Sequence, residues 1–390
     1  MFDAESCNRC GICLSQCPFL QLPIEEAKEE ISRMIETKTS EQIIKNCGGC
    51  LYCNVICPTR SNPAELVKEI KLIKNRKEGV RSLLLMSEDV PVNLMSVGLE
   101  LETEEKEENL KKYMNPPKNK SMFYIGCSLS YTYTDLVKTK LLESLPLVGG
   151  MKYCCGGYVN SLFGEGEAKI KGEKLLKEFN ELGVEKLVSF CPGCDLMIRD
   201  VYPKIIEEYN IESQSIIEYL IEKYHKGELE FTNKIDQRIT FHDPCPWRSL
   251  DRKIYESPRE LLEIMGAEVV EMKHNRKKSL CCGAPVSFKN REAAERIANK
   301  RVSEAEEAGA DAMAFICTGC VFALSKNAAE KNIEAYYMTE LAQMAIGEQP
   351  PHRIVEVTNR AMELLGKRIG QNLGLMNDKY LIKGGKIHRL

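Results

Sequence analysis

The 390-residue sequence has no apolar run that approaches the roughly 20 residues a membrane-spanning helix needs. Its longest runs, such as Leu83 to Met86 and Ala312 to Cys317, fall far short, so the chain is not expected to cross a membrane itself. Strong charge of either sign is also missing. The formal net charge is -3, which excludes a global basic field and with it nucleic acid as an expected partner. No basic, apolar and small-residue succession opens the chain; Met1-Phe2-Asp3-Ala4-Glu5 leads almost at once to a cysteine, so no signal peptide is read and a cytoplasmic location is expected. No Gly-x-Gly-x-x-Gly follows a predicted strand, and neither flavin nor nicotinamide is therefore expected on this chain.

Cysteine is what the chain has in quantity. Eighteen of 390 residues is too few for a small disulfide scaffold, which carries about 8 to 10%, and too many for an ordinary reduced protein. Metal ligation is the explanation that remains.

Two near-copies of one string occupy the N-terminal segment: Cys7-x-x-Cys10-x-x-Cys13-x-x-x-Cys17-Pro18 and Cys47-x-x-Cys50-x-x-Cys53-x-x-x-Cys57-Pro58. In such strings three thiolates hold one 4Fe-4S cubane and the fourth ligates the neighbouring cube. On that rule Cys7, Cys10, Cys13 and Cys57 hold one cluster, and Cys47, Cys50, Cys53 and Cys17 hold the other. A zinc site would instead use two pairs of ligands separated by a longer loop. Between the strings, Ile24 to Thr37 reads as an amphipathic helix with Ile31, Met34 and Ile35 on one side. After them, Asn62 as N-cap and Pro63 at the first helical position start a second, with Leu66, Val67, Ile70 and Ile73 as its stripe. From Gly98 to Ser121 the chain turns acidic and then Pro/Lys-rich, which reads as a linker, or as a solvated helix in its first half.

The segment from Met122 to Ile346 is an internal repeat. Cys154-Cys155-Gly156 recurs as Cys281-Cys282-Gly283, Cys191 and Cys194 recur as Cys317 and Cys320, and Cys127 recurs as Cys245. In each half an apolar run precedes the first cysteine (Met122 to Ile125; Ile239 to Phe241). A helical pattern follows Cys-Cys-Gly, and a second strand (Lys186 to Phe190; Ala312 to Ile316) delivers Cys-x-x-Cys. Strands alternating with helices predict a parallel sheet, and ligands gather at the carboxyl ends of such strands. Each half thus offers five cysteines: Cys127, Cys154, Cys155, Cys191 and Cys194, then Cys245, Cys281, Cys282, Cys317 and Cys320. With the eight upstream they account for every cysteine.

The stretches "FYIGC" (Phe123 to Cys127), "CCGG" (Cys154 to Gly157), "CPGC" (Cys191 to Cys194), "FHDPC" (Phe241 to Cys245), "CCG" (Cys281 to Gly283) and "CTGC" (Cys317 to Cys320) resemble the cysteine-cysteine-glycine (CCG) domain family, typified by heterodisulfide reductase. Its D-type subunit fuses this duplicated body behind a two-cluster ferredoxin segment. The helix between the two N-terminal strings likewise resembles the helical ferredoxin domain of fumarate reductase and succinate dehydrogenase iron-sulfur subunits. The resemblance implies a noncubane 4Fe-4S cluster on each five-cysteine set, between which a disulfide such as the coenzyme M-coenzyme B heterodisulfide is split. It also implies redox partners: a flavoprotein, a hydrogenase or formate dehydrogenase, or a membrane b-type cytochrome that would hold the chain at the cytoplasmic membrane face. Relatives with the same layout include iron-sulfur subunits of glycolate oxidase, anaerobic glycerol-3-phosphate dehydrogenase and lactate-utilisation systems. An electron relay from a flavin dehydrogenase or an electron-transferring flavoprotein to quinone is thus the alternative function. Two departures stand out: Ala284-Pro285-Val286 follows the second Cys-Cys-Gly, and Thr318 replaces the usual proline.

Among other residues, His242 and Asp243 before Cys245 are candidate proton donors to a leaving thiolate, the alternative being a histidine hydrogen-bonded at the strand end. The basic run Lys273, His274, Arg276, Lys277 and Lys278 could attract an anionic group or form a solvated loop. Trp247 and Arg248 could line a pocket or pack. The expected fold class is α+β multidomain: a helical two-cluster ferredoxin domain (1–97), a linker (98–121), two α/β parallel-sheet CCG domains (122–235 and 236–346) and a C-terminal helical extension (347–390).

Overall fold

The computed structural model describes residues 1–390 except 83, 84, 86, 88, 89, 91, 92, 94–96, 99, 102, 103, 251–253, 376 and 377, and omits the side chains of 104–106. Most of the apolar run Leu83 to Met86 and part of the acidic stretch after Gly98 therefore lie outside the described residues.

Each repeat folds around a four-stranded sheet whose pairings are all parallel. The first uses β1 (Ser121–Ile125), β2 (Leu147–Gly149), β3 (Lys186–Ser189) and β4 (Glu212–Ser215), in spatial order β2-β1-β3-β4. The second repeats this as β5 (Arg238–Phe241), β6 (Glu268–Val269), β7 (Ala312–Phe315) and β8 (Glu334–Tyr337), in order β6-β5-β7-β8. Parallel sheets are stable only when both faces are covered, and β1 shows how this is done. Met122 and Tyr124 point into a core against the helix Glu165–Glu181, whereas Phe123 and Ile125 join a larger core shared with the second repeat. A period-2 alternation with apolar residues on both sides thus cements the two halves together.

The N-terminal segment is helical, as its patterning predicts. The helix Ile24–Thr37 buries Ala27, Ile31 and Met34 against Leu66, Val67 and Ile70 of the helix Pro63–Glu78. Two local expectations are corrected. Asn62 sits at the N-cap in a left-handed conformation (φ 58°) and makes no side-chain cap; Asn54 Oδ1 accepts the orphan N–H of Ala64 at 2.8 Å instead. Ile73, the last residue of the apolar stripe, is exposed.

Within 98–121 the helix Glu104–Met114 buries Leu110 and Tyr113, so its last turns are packed rather than solvated. Beyond the repeats, the helix Ile354–Gln371 is followed by a hairpin, Lys379–Lys383 and Lys386–Arg389, which pairs antiparallel with Val80–Arg81. Its turn is Gly384-Gly385, both at positive φ, the geometry a two-residue hairpin loop requires. No helix among the described residues is long and apolar enough to cross a membrane.

Candidate metal centres

Strand ends bring the cysteines of each repeat together. Cys127 follows β1, the Cys-Cys pair lies beyond β2, and Cys191 follows β3; Cys245, Cys281-Cys282 and Cys317 occupy the same places around β5, β6 and β7. The thiols make the same chain of contacts in both halves. Cys127 touches Cys154, Cys155 touches Cys194 and Cys194 touches Cys191, while Cys245 touches Cys281, Cys282 touches Cys320 and Cys320 touches Cys317. Every sequence-predicted cysteine of the repeats is thus in its set.

The two N-terminal sets form with their strings exchanged. Cys7, Cys10, Cys13 and Cys57 line one pocket, together with Pro58 and Pro63. Burial and the like charges of Cys57, Cys7 and Cys10 push Cys13 up to about 12. Burial and the neighbouring Cys50 and Cys47 likewise push Cys17 up to about 12. Gly11, at φ +75°, makes the first turn possible, because a Cβ there would lie 2.8 Å from the backbone of Lys28.

Chemically, the donor sets fit iron-sulfur clusters. All 18 cysteines are free of disulfides, and crowded buried thiols without matching cations cannot ionise together. A bound metal centre resolves this, because its positive charge draws off the protons and the thiolates become ligands. Near the second repeat's set, the buried donors Trp247 Nε1 and Arg301 Nη2 have no hydrogen-bond partner among the described residues.

The sites are not isolated from one another. The thiol of Cys50 lies beside that of Cys281, which brings the second ferredoxin-type set next to the second repeat. Arg248 holds this junction: its Nη1 donates to the Cys50 carbonyl at 2.6 Å, its Nε donates to the Lys277 carbonyl at 3.0 Å, and its guanidinium lies over the Tyr52 ring. Between the repeats, the Tyr337 hydroxyl lies within hydrogen-bond reach of the carbonyls of Phe190 and Ile316, the residues just before Cys191 and Cys317. Thr318, in place of a proline, donates to Ser128 beside Cys127 at 2.9 Å, a second tie across the halves.

Two families of known proteins match. The family described as "Cysteine-rich domain" matches residues 122–199 and 239–325, and the "4Fe-4S dicluster domain" family matches residues 3–61. The chain is 24% identical to the D-type subunit of the dihydromethanophenazine:CoB-CoM heterodisulfide reductase of Methanosarcina acetivorans, across 89% of this chain and 95% of that protein. The chain is a CCG iron-sulfur protein similar to D-type heterodisulfide reductase subunits. This CCG protein is also similar to the B-type subunit of the fumarate reductase (CoM/CoB) of Methanothermobacter marburgensis (25%, covering 88% of this chain and 73% of that one). A third relative is the EtfAB:quinone oxidoreductase of Syntrophomonas wolfei (22%, covering 73% and 48%). It belongs, with these relatives, among iron-sulfur oxidoreductase subunits. A crystal structure of a hypothetical protein from Helicobacter pylori shares the fold, with a TM-score of 0.52 at 14% identity over 85% of this chain and 67% of that one.

Non-cysteine expectations fare differently. His242 is buried, its Nδ1 accepts from Arg301 Nε at 3.0 Å, and its ring contacts Cys282. Burial and the Arg301 charge hold the imidazole below its ordinary pKa. Two of the five residues of the basic run meet carboxylates: Arg276 pairs with Glu256 and Glu271, and His274 with Glu304. Asp243 is locked in a buried bidentate pair with Arg259. Sequence reasoning did not single out Arg301 or Tyr337, because neither lies near a cysteine in the chain.

Proposed function

We propose that this chain passes electrons between two cubane 4Fe-4S clusters, on Cys7, Cys10, Cys13 and Cys57 and on Cys47, Cys50, Cys53 and Cys17, and two noncubane 4Fe-4S clusters in the repeats. The noncubane clusters take Cys127, Cys154, Cys155, Cys191 and Cys194, and Cys245, Cys281, Cys282, Cys317 and Cys320. Bound clusters supply one-electron chemistry, two units of which, with two protons, convert a disulfide to two thiols. The substrate is a disulfide such as the coenzyme M-coenzyme B heterodisulfide. The observation that carries this reading is the thiol contact of Cys50 with Cys281, which couples a ferredoxin-type set directly to a CCG set. The ties of Tyr337 to Phe190 and of Thr318 to Ser128 support it, since they link residues beside the two five-cysteine sets and keep the sets near each other.

Flavin, where it takes part, sits on a partner flavoprotein; a hydrogenase, a formate dehydrogenase or a membrane b-type cytochrome is the other partner class, with the chain on the cytoplasmic side. Similarity to an EtfAB:quinone oxidoreductase over 73% of the chain favours a second reading, a relay from an electron-transferring flavoprotein to quinone. Anaerobic protein should contain about 16 irons and about 16 acid-labile sulfides, the content of four 4Fe-4S clusters. Oxidised protein given the heterodisulfide should develop a new paramagnetic signal and reduce the substrate when supplied with electrons. If neither happens, the relay reading replaces the disulfide one.

A further inference from the structure

The two halves repeat their cysteines but not what surrounds them. Across the second sheet, Phe241 pairs with Ala314 and the His242 amide donates to the Ala314 carbonyl, which puts His242 opposite Phe315. Tyr124 holds that position in the first half, opposite Ser189. By the 126-residue offset between Cys191 and Cys317, Arg301 on the helix Arg291–Glu307 corresponds to Leu175 on the helix Glu165–Glu181. The second repeat therefore has a His-Arg pair where the first has a tyrosine and a leucine. Tyr124 turns its hydroxyl to the Tyr153 carbonyl rather than to sulfur.

A guanidinium only donates, so the Arg301 Nε–H bond fixes His242 Nδ1 as an acceptor and leaves the ring proton on Nε2. The ring lies against sulfur: a nitrogen of His242 and the Sγ atoms of Cys282 and Cys320 all fall within 4.8 Å of one another. Arg301 is fixed in turn. It is fully buried, and its Nη1 donates to Glu304 at 2.8 Å and to the His274 carbonyl at 2.6 Å. Glu304 also bonds His274 Nδ1. This chain of bonds runs from a part-exposed histidine to a buried thiol, yet it does not conduct protons, because a guanidinium does not give one up.

We propose that Arg301 and His242 act as a positioning pair that aims a single N–H at Cys282 and makes the second repeat's cluster site electronically unequal to the first. This rests on the cluster reading above and differs from the proton-donor role that the sequence suggests for His242. A hydrogen bond to a cluster sulfur, with a buried cation behind it, favours the more negative reduced state and raises the potential of that site. The site so raised is also the one that Cys50 touches, so its higher potential draws electrons from the ferredoxin-type set into the second repeat first.

The test uses the full chain, purified anaerobically, as wild type and as His242→Phe, His242→Gln and Arg301→Met. Iron content, the midpoint of each paramagnetic signal, and deuteron couplings after exchange into heavy water are read for each. In His242→Phe one signal should shift to lower potential and lose an exchangeable deuteron coupling, with iron content unchanged. His242→Gln, which keeps an N–H, should recover part of the shift, and Arg301→Met should shift the same signal in the same direction. An unmoved midpoint in fully loaded His242→Phe overturns the assignment while leaving the four-cluster reading intact. So does a strong nitrogen coupling in the wild type, the mark of His242 as a direct ligand, or loss of the same iron from all three variants. A wild-type iron content of about 12 or less, in place of the about 16 of four clusters, sinks both.

Discussion

Replacing Arg248 by Met should loosen the junction between the ferredoxin-type segment and the second repeat. The side chain is nearly buried and makes two charge-assisted bonds to carbonyls, Nη1 to Cys50 at 2.6 Å and Nε to Lys277 at 3.0 Å. Methionine keeps the apolar stem but loses the guanidinium over the Tyr52 ring and satisfies neither carbonyl. A hydrogen bond to a charged group contributes about 1.5–3 kcal/mol, and water entering the junction recovers part of that, so a net loss of about 3 kcal/mol is expected. The loss falls on local opening of residues 50–56, which amide hydrogen exchange reads directly. At tenfold per about 1.4 kcal/mol, those amides should exchange about 100- to 150-fold faster, while amides inside β3 and β7 keep their rates. Arg276→Met is the control: its pairs with Glu256 and Glu271 are part-exposed, and such pairs contribute about 0–1 kcal/mol. Exchange in Arg248→Met within about threefold of wild type would mean that the junction is held by other contacts.

Other outcomes follow from single residues. Arg259→Met leaves Asp243 buried without its cation and should cost about 3–5 kcal/mol, read as a fall in melting temperature that Asp243→Asn in the same chain partly restores. Gly172→Ala should destabilise despite a helix-propensity gain of about 1 kcal/mol, because its Cβ would lie 2.3 Å from the Tyr202 ring, whose hydroxyl donates to the Cys155 carbonyl. A normal melting temperature in that variant would refute the packing. His352 is held up to about 9 by its bonds to Glu340 and Glu334. Its folded pKa exceeds the unfolded value of about 6.5, so this stabilisation is complete below pH ~6.5 and is lost as pH rises through 9. The ring is about a third exposed, and screening reduces the contribution to about 1–2 kcal/mol. The melting-temperature gap between wild type and His352→Phe should shrink between pH 6 and pH 9.5; an unchanged gap would count against the ion pairs.

Elements that follow from local spacing were legible in the sequence. The helix Ile24–Thr37 has the predicted bounds, and the strands before Cys127, Cys191, Cys245 and Cys317 agree to within a residue or so, because apolar patterning and the cysteines mark both ends. Less legible were features that depend on a partner remote in the chain. Asn54 rather than Asn62 caps the helix Pro63–Glu78, since only the folded loop brings Asn54 to that N-terminus. The hairpin closed by Gly384-Gly385 lies inside the stretch expected as a helical extension and was not read from the sequence, nor was its pairing with Val80, some 300 residues away.

The sequence by itself determined which residues can grip metal, and that the grip is duplicated, because ligand chemistry depends on residue type and short spacing. Only tertiary structure decided that Cys50 meets Cys281, that Arg248 and Tyr337 hold neighbouring sets together, and that Arg301 reaches His242 across 59 residues of chain. Those contacts arise from the packing of two sheets and a helical segment onto a shared core, which brings together side chains that no local pattern connects.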